Sequence, residues 1–141
     1  MTQNIREMIT TSQSMIDRSV VVERNRDKIS LLILEGTDKA HKKGVIDCCQ
    51  IYSDMRLITR FYSDAHSAIK GVVMALKSGA EKKSLTMLLT HSPCEHCSTL
   101  ILESNLFHTV IYSEEIYFSG INFLREEGVF VQCIKNSELI Q

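Results

Sequence analysis

In the second half of the chain, apolar residues recur at helical spacing or gather in short runs. Ile69, Val72, Val73 and Leu76 follow i, i+3, i+4, i+7 spacing and predict a helix with one apolar face, ending near Gly79. Leu85 to Leu89 is a short apolar run and predicts a strand. Cys97, Leu100 and Ile101 mark a second helix and Val110-Ile111-Tyr112 another strand. Ile121 to Glu126 reads as a helix stopped by Gly128, and Val129 to Ile134 as a last strand. Upstream, Ile5, Met8, Ile9 and Met15 give a helical face over Asn4 to Met15. Val20-Val21-Val22 and Ile29 to Leu34 read as two strands around the polar turn Asn25-Arg26-Asp27-Lys28, so a hairpin is expected. From Glu35 to Tyr62 no period is clean, and the stretch reads as a long ordered loop with room for one short helix. The order α-β-β-loop-α-β-α-β-α-β predicts an α/β fold, a mixed sheet covered by helices on both faces.

A chain of 141 residues is read as one domain, 1–141. At this length it buries roughly two thirds of its unfolded surface and needs no disulfides. Runs such as Leu31 to Leu34 and Val72 to Leu76 fall far short of the ~20 residues of a membrane span, so no membrane partner is expected. The polar start (Thr2, Gln3, Asn4, Arg6, Glu7) does not read as a signal peptide. Net charge is -1, and the densest basic cluster is Lys39, His41, Lys42 and Lys43. Without a broad basic stripe, the expected partner is a small anionic molecule and not a polynucleotide. Five cysteines without a leader suggest a reducing, cytoplasmic setting, where cysteines serve as metal ligands or core residues.

The densest chemistry lies in Ser92-Pro93-Cys94-Glu95-His96-Cys97, between a strand and a helix. Ser92 suits the N-cap, Pro93 the first helical position and Glu95 the third, a capping box. Cys94 and Cys97 then lie one turn apart at a helix start, where the dipole and free amides favour thiolates. Two such thiolates are half of a tetrahedral zinc site. His66, at the start of the preceding helix, is the third ligand candidate, and the set leaves a fourth position for water. A redox Cys-x-x-Cys pair and a purely structural zinc site compete with this reading. The redox motif wants a different surrounding βαβ pattern. His96, between the cysteines, should point off their shared face, and His41, His91 and His108 read as structural or solvated, with His91, which precedes the motif, also a candidate to border the pocket.

His66-Ser67-Ala68 followed by Pro93-Cys94-Glu95-His96-Cys97 matches the metal-binding part of the zinc-deaminase pattern H-x-E … P-C-x-x-C. Thr90 to Cys97, the strand before it and Val110-Ile111-Tyr112 after it resemble the deoxycytidylate (dCMP) deaminases, especially the short phage-type enzymes. The resemblance runs from about His66 to Cys133 and is looser upstream. It implies a cytidine-deaminase-like three-layer α/β/α fold with about five strands, a Zn2+ cofactor, a deoxycytidine nucleotide as substrate and a homo-oligomer, commonly a hexamer. It also implies substrate contacts at Glu35 and Thr37, where the family has an Asn-Gly turn, and at Ser92 and Tyr117. Cys48-Cys49 resembles a cysteine pair that in some members serves an accessory zinc, though adjacent cysteines are more often simply buried.

The departure that matters most is Ala68, which stands where the family has its catalytic glutamate. In that chemistry the carboxylate takes a proton from water, delivers it to N3 and helps ammonia leave. A methyl group does none of this, and each such transfer is worth about 10²–10⁴-fold. The resemblance therefore implies a chain that binds zinc and nucleotide and turns over slowly or not at all. Two origins fit: a disabling substitution in an active parent, or a natural pseudo-enzyme. Asp64 is a nearby substitute base. Reading Asp64 as the ligand instead would set a hard oxygen beside two thiolates and throw the following helix out of register. The rival functions are a regulatory nucleotide-binding protein, favoured by Ala68, and a deaminase of a base within tRNA or single-stranded DNA. The latter wants basic and aromatic surface, and this chain has 6% aromatic residues and no tryptophan. Free-nucleoside deaminases generally carry cysteine where His66 stands.

Overall fold

The structure, a computed structural model, describes residues 15–135. The Asn4 to Met15 helix predicted above lies outside them except for Met15. Helix α1 occupies residues 15–24, followed by α2 (Arg26–Lys42), β1 (Asp47–Ser53), β2 (Arg56–Ser63), α3 (Ser67–Lys77), β3 (Leu85–His91), α4 (Glu95–Ser104), β4 (Phe107–Glu114), α5 (Ser119–Glu126) and β5 (Phe130–Cys133). The five strands form one sheet in the order β2-β1-β3-β4-β5. β1 pairs antiparallel with β2 and β3, while β3–β4 and β4–β5 are parallel.

Strand alternation divides the core in two. Cys49, Ile51, Met87, Leu89, Val110 and Tyr112 face the layer of α3, α4 and α5, where they meet Ala68, Val72, Cys97, Ile101, Ile121 and Leu124. Leu88 and Ile111 face the other way, toward Val22, Ile29 and Ile33 of α1 and α2. The result is the three-layer α/β/α arrangement with a mixed five-stranded sheet that the resemblance implied.

The first third of the chain corrects the sequence reading. Val20-Val21-Val22 is helical, as is Ile29 to Leu34. Asn25 separates the two helices, and its side-chain amide donates to Val21 O at 2.8 Å. The buried residues of α2 are Ile29, Ser30, Ile33, Gly36 and Ala40, a 3.6-residue period that the apolar run Leu31 to Leu34 conceals by exposing Leu31. The hairpin exists but lies at β1–β2, inside the expected long loop. It turns at Asp54-Met55, with Asp54 at φ 54°. β1 was illegible because it is buried on both faces, so alternation vanishes.

Glu35-Gly36-Thr37 is accordingly not a turn. Gly36 lies in mid-helix, pressed on β1: a β-carbon there would stand 2.6 Å from Gln50 Nε2 and 2.9 Å from Cys48 Sγ. α3 also differs from its predicted face. It buries Ser67, Ala68, Gly71, Val72 and Ala75, while Val73 and Leu76 are 45% and 56% exposed. Small residues on the inner face bring α3 close to the sheet, which pushes the larger ones outward.

Candidate metal centre and cavity

His66 immediately precedes α3 in the left-handed conformation, at φ 55° and ψ 37°. Its side chain makes no cap, and the first amide of α3 is capped from elsewhere: Ser67 N donates to Asp47 Oδ2 at 3.0 Å. The His66 ring is thereby free for another role. A non-glycine residue held at positive φ costs on the order of 1–3 kcal/mol and collects at functional sites.

α4 begins one residue pair later than the capping-box reading placed it. Cys94 is the N-cap, its Sγ accepts from Cys97 N at 3.4 Å, and Glu95 opens the helix. Ser92 is not a cap. Its Oγ accepts from Ile116 N and Tyr117 N, both at 2.8 Å, and so ties down the segment between β4 and α5.

His66 Nδ1 lies 3.4 Å from both Cys94 Sγ and Cys97 Sγ, and the three donor atoms fall within 4.8 Å of one another. With Zn–S of about 2.3 Å and Zn–N of about 2.05 Å, tetrahedral geometry sets N and S about 3.5 Å apart. One nitrogen and two sulfurs at that separation, at two helix N-termini, fit a zinc ion and leave a fourth position open. Cys97 is buried, and burial, with Cys94 as hydrogen-bonding neighbour, pushes its thiol up to about 12. Without a metal it is a thiol, and a metal must displace its proton.

The three residues line a cavity of about 190 Å³ together with Asp47, Asp64, Ala68, His91, Ser92 and Tyr117 among others. Ala68 is buried and is one of the lining residues. Of the sequence-predicted residues, His66, Ala68, Ser92, Cys94, Cys97 and Tyr117 are brought together here. Glu35 and Thr37 are not: Glu35 is exposed on α2 and pairs with Lys39 at 2.8 Å, and Thr37 Oγ1 donates to Ile33 O at 2.9 Å. Nor do Cys48 and Cys49 form a pair. They are successive strand residues with thiols on opposite faces, Cys48 toward Gly36 of α2 and Cys49 toward Gly71 of α3. Among the described residues the only metal-type cluster is His66, Cys94 and Cys97. A larger cavity of about 420 Å³ lies on the opposite sheet face, against Arg18, Ile29, Leu88 and His108, and contains none of that cluster.

Sequence reasoning missed Asp47, and left His91 open between bordering the pocket and a structural place; it lines the cavity. Asp47 is 8% exposed. Its Oδ1 accepts from Thr90 Oγ1 at 2.7 Å and stands 3.2 Å from His91 Nδ1. Burial alone would raise its pKa, but hydrogen bonds from His91, the Ser67 amide and Thr90 outweigh it and hold the carboxyl below its ordinary value. The available signal was an aspartate heading the short segment Cys48-Cys49-Gln50-Ile51, in which only Gln50 is polar, since buried carboxylates are rare unless partnered.

No family model matches the chain, and no curated protein matches it. Solved structures do. The apo dCMP deaminase of cyanophage S-TIM5 aligns with a TM-score of 0.60 at 20% identity, covering 75% of this chain and 97% of that one. RibD of Acinetobacter baumannii aligns at 0.66 and 17%, covering 80% of this chain and 37% of RibD, so this chain spans little more than a third of that protein. The guanine deaminase of Nitrosomonas europaea aligns at 0.59 and 12%, covering 78% and 77%. At these identities the likeness is one of fold, and that fold is cytidine-deaminase-like.

Proposed function

We propose that this chain is a zinc-dependent deaminase module for a deoxycytidine nucleotide, dCMP in the first instance, converting it to dUMP and ammonia, with turnover held low by Ala68. The observation that carries the reading is the His66, Cys94 and Cys97 donor set on the wall of the cavity that also contains Ala68. A neighbour in fold, the S-TIM5 dCMP deaminase, is known in complex with dCMP and dUMP, which supports the substrate class.

When bound, zinc would supply an activated water and a Lewis acid. The chain's own residues do the remainder. His66, Cys94 and Cys97 would hold the ion. A cavity of about 190 Å³ admits a single ring and leaves sugar and phosphate outside. Tyr117, held at the rim by Ser92, would close over the ring, and the Ser92 hydroxyl hydrogen remains for donation to a base carbonyl. Ala68 can move no proton, and losing one acid–base group costs about 10²–10⁴-fold. A homo-oligomer, commonly a hexamer in the family resembled, and a cytoplasmic location belong to the same proposal.

A second reading has an observation of its own. Ala68 with its ligand set complete also suits a regulatory nucleotide-binding protein. Zinc content, dCMP calorimetry and product formation on the purified chain separate the two. The deaminase reading expects one zinc per chain, zinc-dependent dCMP binding and slow dUMP release. Tight binding with no dUMP favours the regulatory reading. Absence of both zinc and dCMP binding overturns both.

A further inference from the structure

Asp47 is the first residue of β1 and His91 the last of β3. The antiparallel register that pairs Cys49 with Leu89 brings these two opposite each other when continued by two residues. Both then lie on the sheet face that carries Cys49 and Leu89, and both line the cavity with Ala68 and the candidate ligand set. His91 Nδ1 has two neighbours, Asp47 Oδ1 at 3.2 Å and Thr90 Oγ1 at 3.1 Å. Thr90 accepts from Cys48 N at 3.0 Å and donates its one hydroxyl hydrogen to Asp47 Oδ1 at 2.7 Å. Both neighbours of Nδ1 therefore act as acceptors, which sets a ring hydrogen on Nδ1 and, in the neutral ring, leaves the lone pair on Nε2. A carboxylate holding an imidazole by Nδ1, on the wall of a cavity, is the arrangement of an oriented general base.

We propose that His91 carries protons in this cavity in place of the missing carboxylate at position 68, with Asp47 as its positioning residue. The inference rests on the deamination reading above. Water adds across the C4=N3 bond of cytosine: its oxygen bonds to C4, and one proton passes through His91 Nε2 to N3. The second proton passes from the new hydroxyl through Nε2 to the amino nitrogen. The C4–N4 bond then breaks with its electron pair on nitrogen, ammonia leaves, and C4 keeps oxygen as a carbonyl. One water is consumed, one ammonia is released, and His91 ends as it began. Asp64 also lines the cavity but is exposed and lacks this orienting contact.

The test measures dUMP formation by the full zinc-loaded chain, His91→Ala, Asp47→Asn and the double variant, with Ala68→Glu as the reference for the reading. It also records 15N spectra of the His91 ring. The inference expects kcat to fall at least about tenfold in His91→Ala, with KM and zinc content unchanged within about twofold. The double variant should be no slower than His91→Ala, since Asp47 acts through that ring. The spectra should show Nδ1 protonated and Nε2 bare, with the preference relaxed in Asp47→Asn. Equal rates with and without His91, an Nε2-protonated ring, or no dUMP from the given chain while Ala68→Glu is active would each overturn the inference and leave the deamination reading standing. No dUMP from Ala68→Glu either would bring down the reading, and the inference with it.

Discussion

Asp47 accepts the backbone hydrogen of Ser67 at 3.0 Å, so the first residue of the β1–β2 hairpin caps α3, the helix beside the candidate site. His66 and Ala68 flank Ser67 on either side. One buried carboxylate thus ties the candidate ligand His66, the Ala68 wall, Thr90 and His91 to a single point of the sheet.

Removing that carboxylate should be costly. Asp47→Ala leaves the Ser67 amide and the Thr90 hydroxyl buried without their acceptor, and should lower unfolding free energy by about 2–3 kcal/mol. The pH dependence follows from the direction of its shift. The Asp47 carboxyl is held below its ordinary value of 3.8, so its contribution is complete above that pH and is lost as pH falls through the lower folded value. Urea unfolding from about pH 3 to 7 should show the gap between wild type and Asp47→Asn closing at the acid end. A gap that stays constant with pH would contradict this.

Zinc affinity should rise with pH. Burial and the neighbouring Cys94 keep the Cys97 thiol protonated at neutral pH in the metal-free chain, at about 12. Each zinc bound must release that proton, which gives a slope of at least about one decade in apparent affinity per pH unit. Competition with a chromogenic chelator at several pH values measures the slope. Cys97→Ser, Cys94→Ser and His66→Ala should each lose the stoichiometric zinc, and a pH-independent affinity would show that Cys97 is not a ligand.

Gly120 links α5 to the turn that carries Cys94. A β-carbon there would stand 2.4 Å from Pro93 O, 2.5 Å from Ser98 Oγ and 2.9 Å from Cys94 O. Two of these are backbone atoms on either side of the Cys94 amide, so the turn itself must move. Gly120→Ala should cost about 1–3 kcal/mol in stability and weaken zinc retention, although the residue is no ligand. Thermal melts with zinc analysis check both, and a variant that melts and binds like wild type would contradict the packing argument.

The second half of the fold was legible because its helices and strands are punctuated locally. Gly79 and Gly128 follow helix ends, and Pro93 precedes Cys94 at the start of α4. Cys94, Cys97 and His66 were legible because metal chemistry demands few residue types at short spacing. The first half was not. Val20-Val21-Val22 mimics a strand by composition, and only packing of Val22 against the sheet makes it helical. β1 hides its alternation by burial on both faces. Asp47 and His91 lie 44 residues apart, and only the β1–β3 register brings them together. Ser92 was assigned to the wrong partner because its hydroxyl bonds residues 24 and 25 positions away, beyond any local capping rule.

The central claim is that a deaminase site is present and that Ala68 limits it. The most direct measurement is dCMP-to-dUMP conversion by ultraviolet absorbance, for the chain as it stands and for Ala68→Glu side by side with equal zinc content. The account predicts that Ala68→Glu is faster by about 10²–10⁴-fold, the worth of one acid–base group. Equal rates, or no conversion by Ala68→Glu with zinc bound, would contradict it.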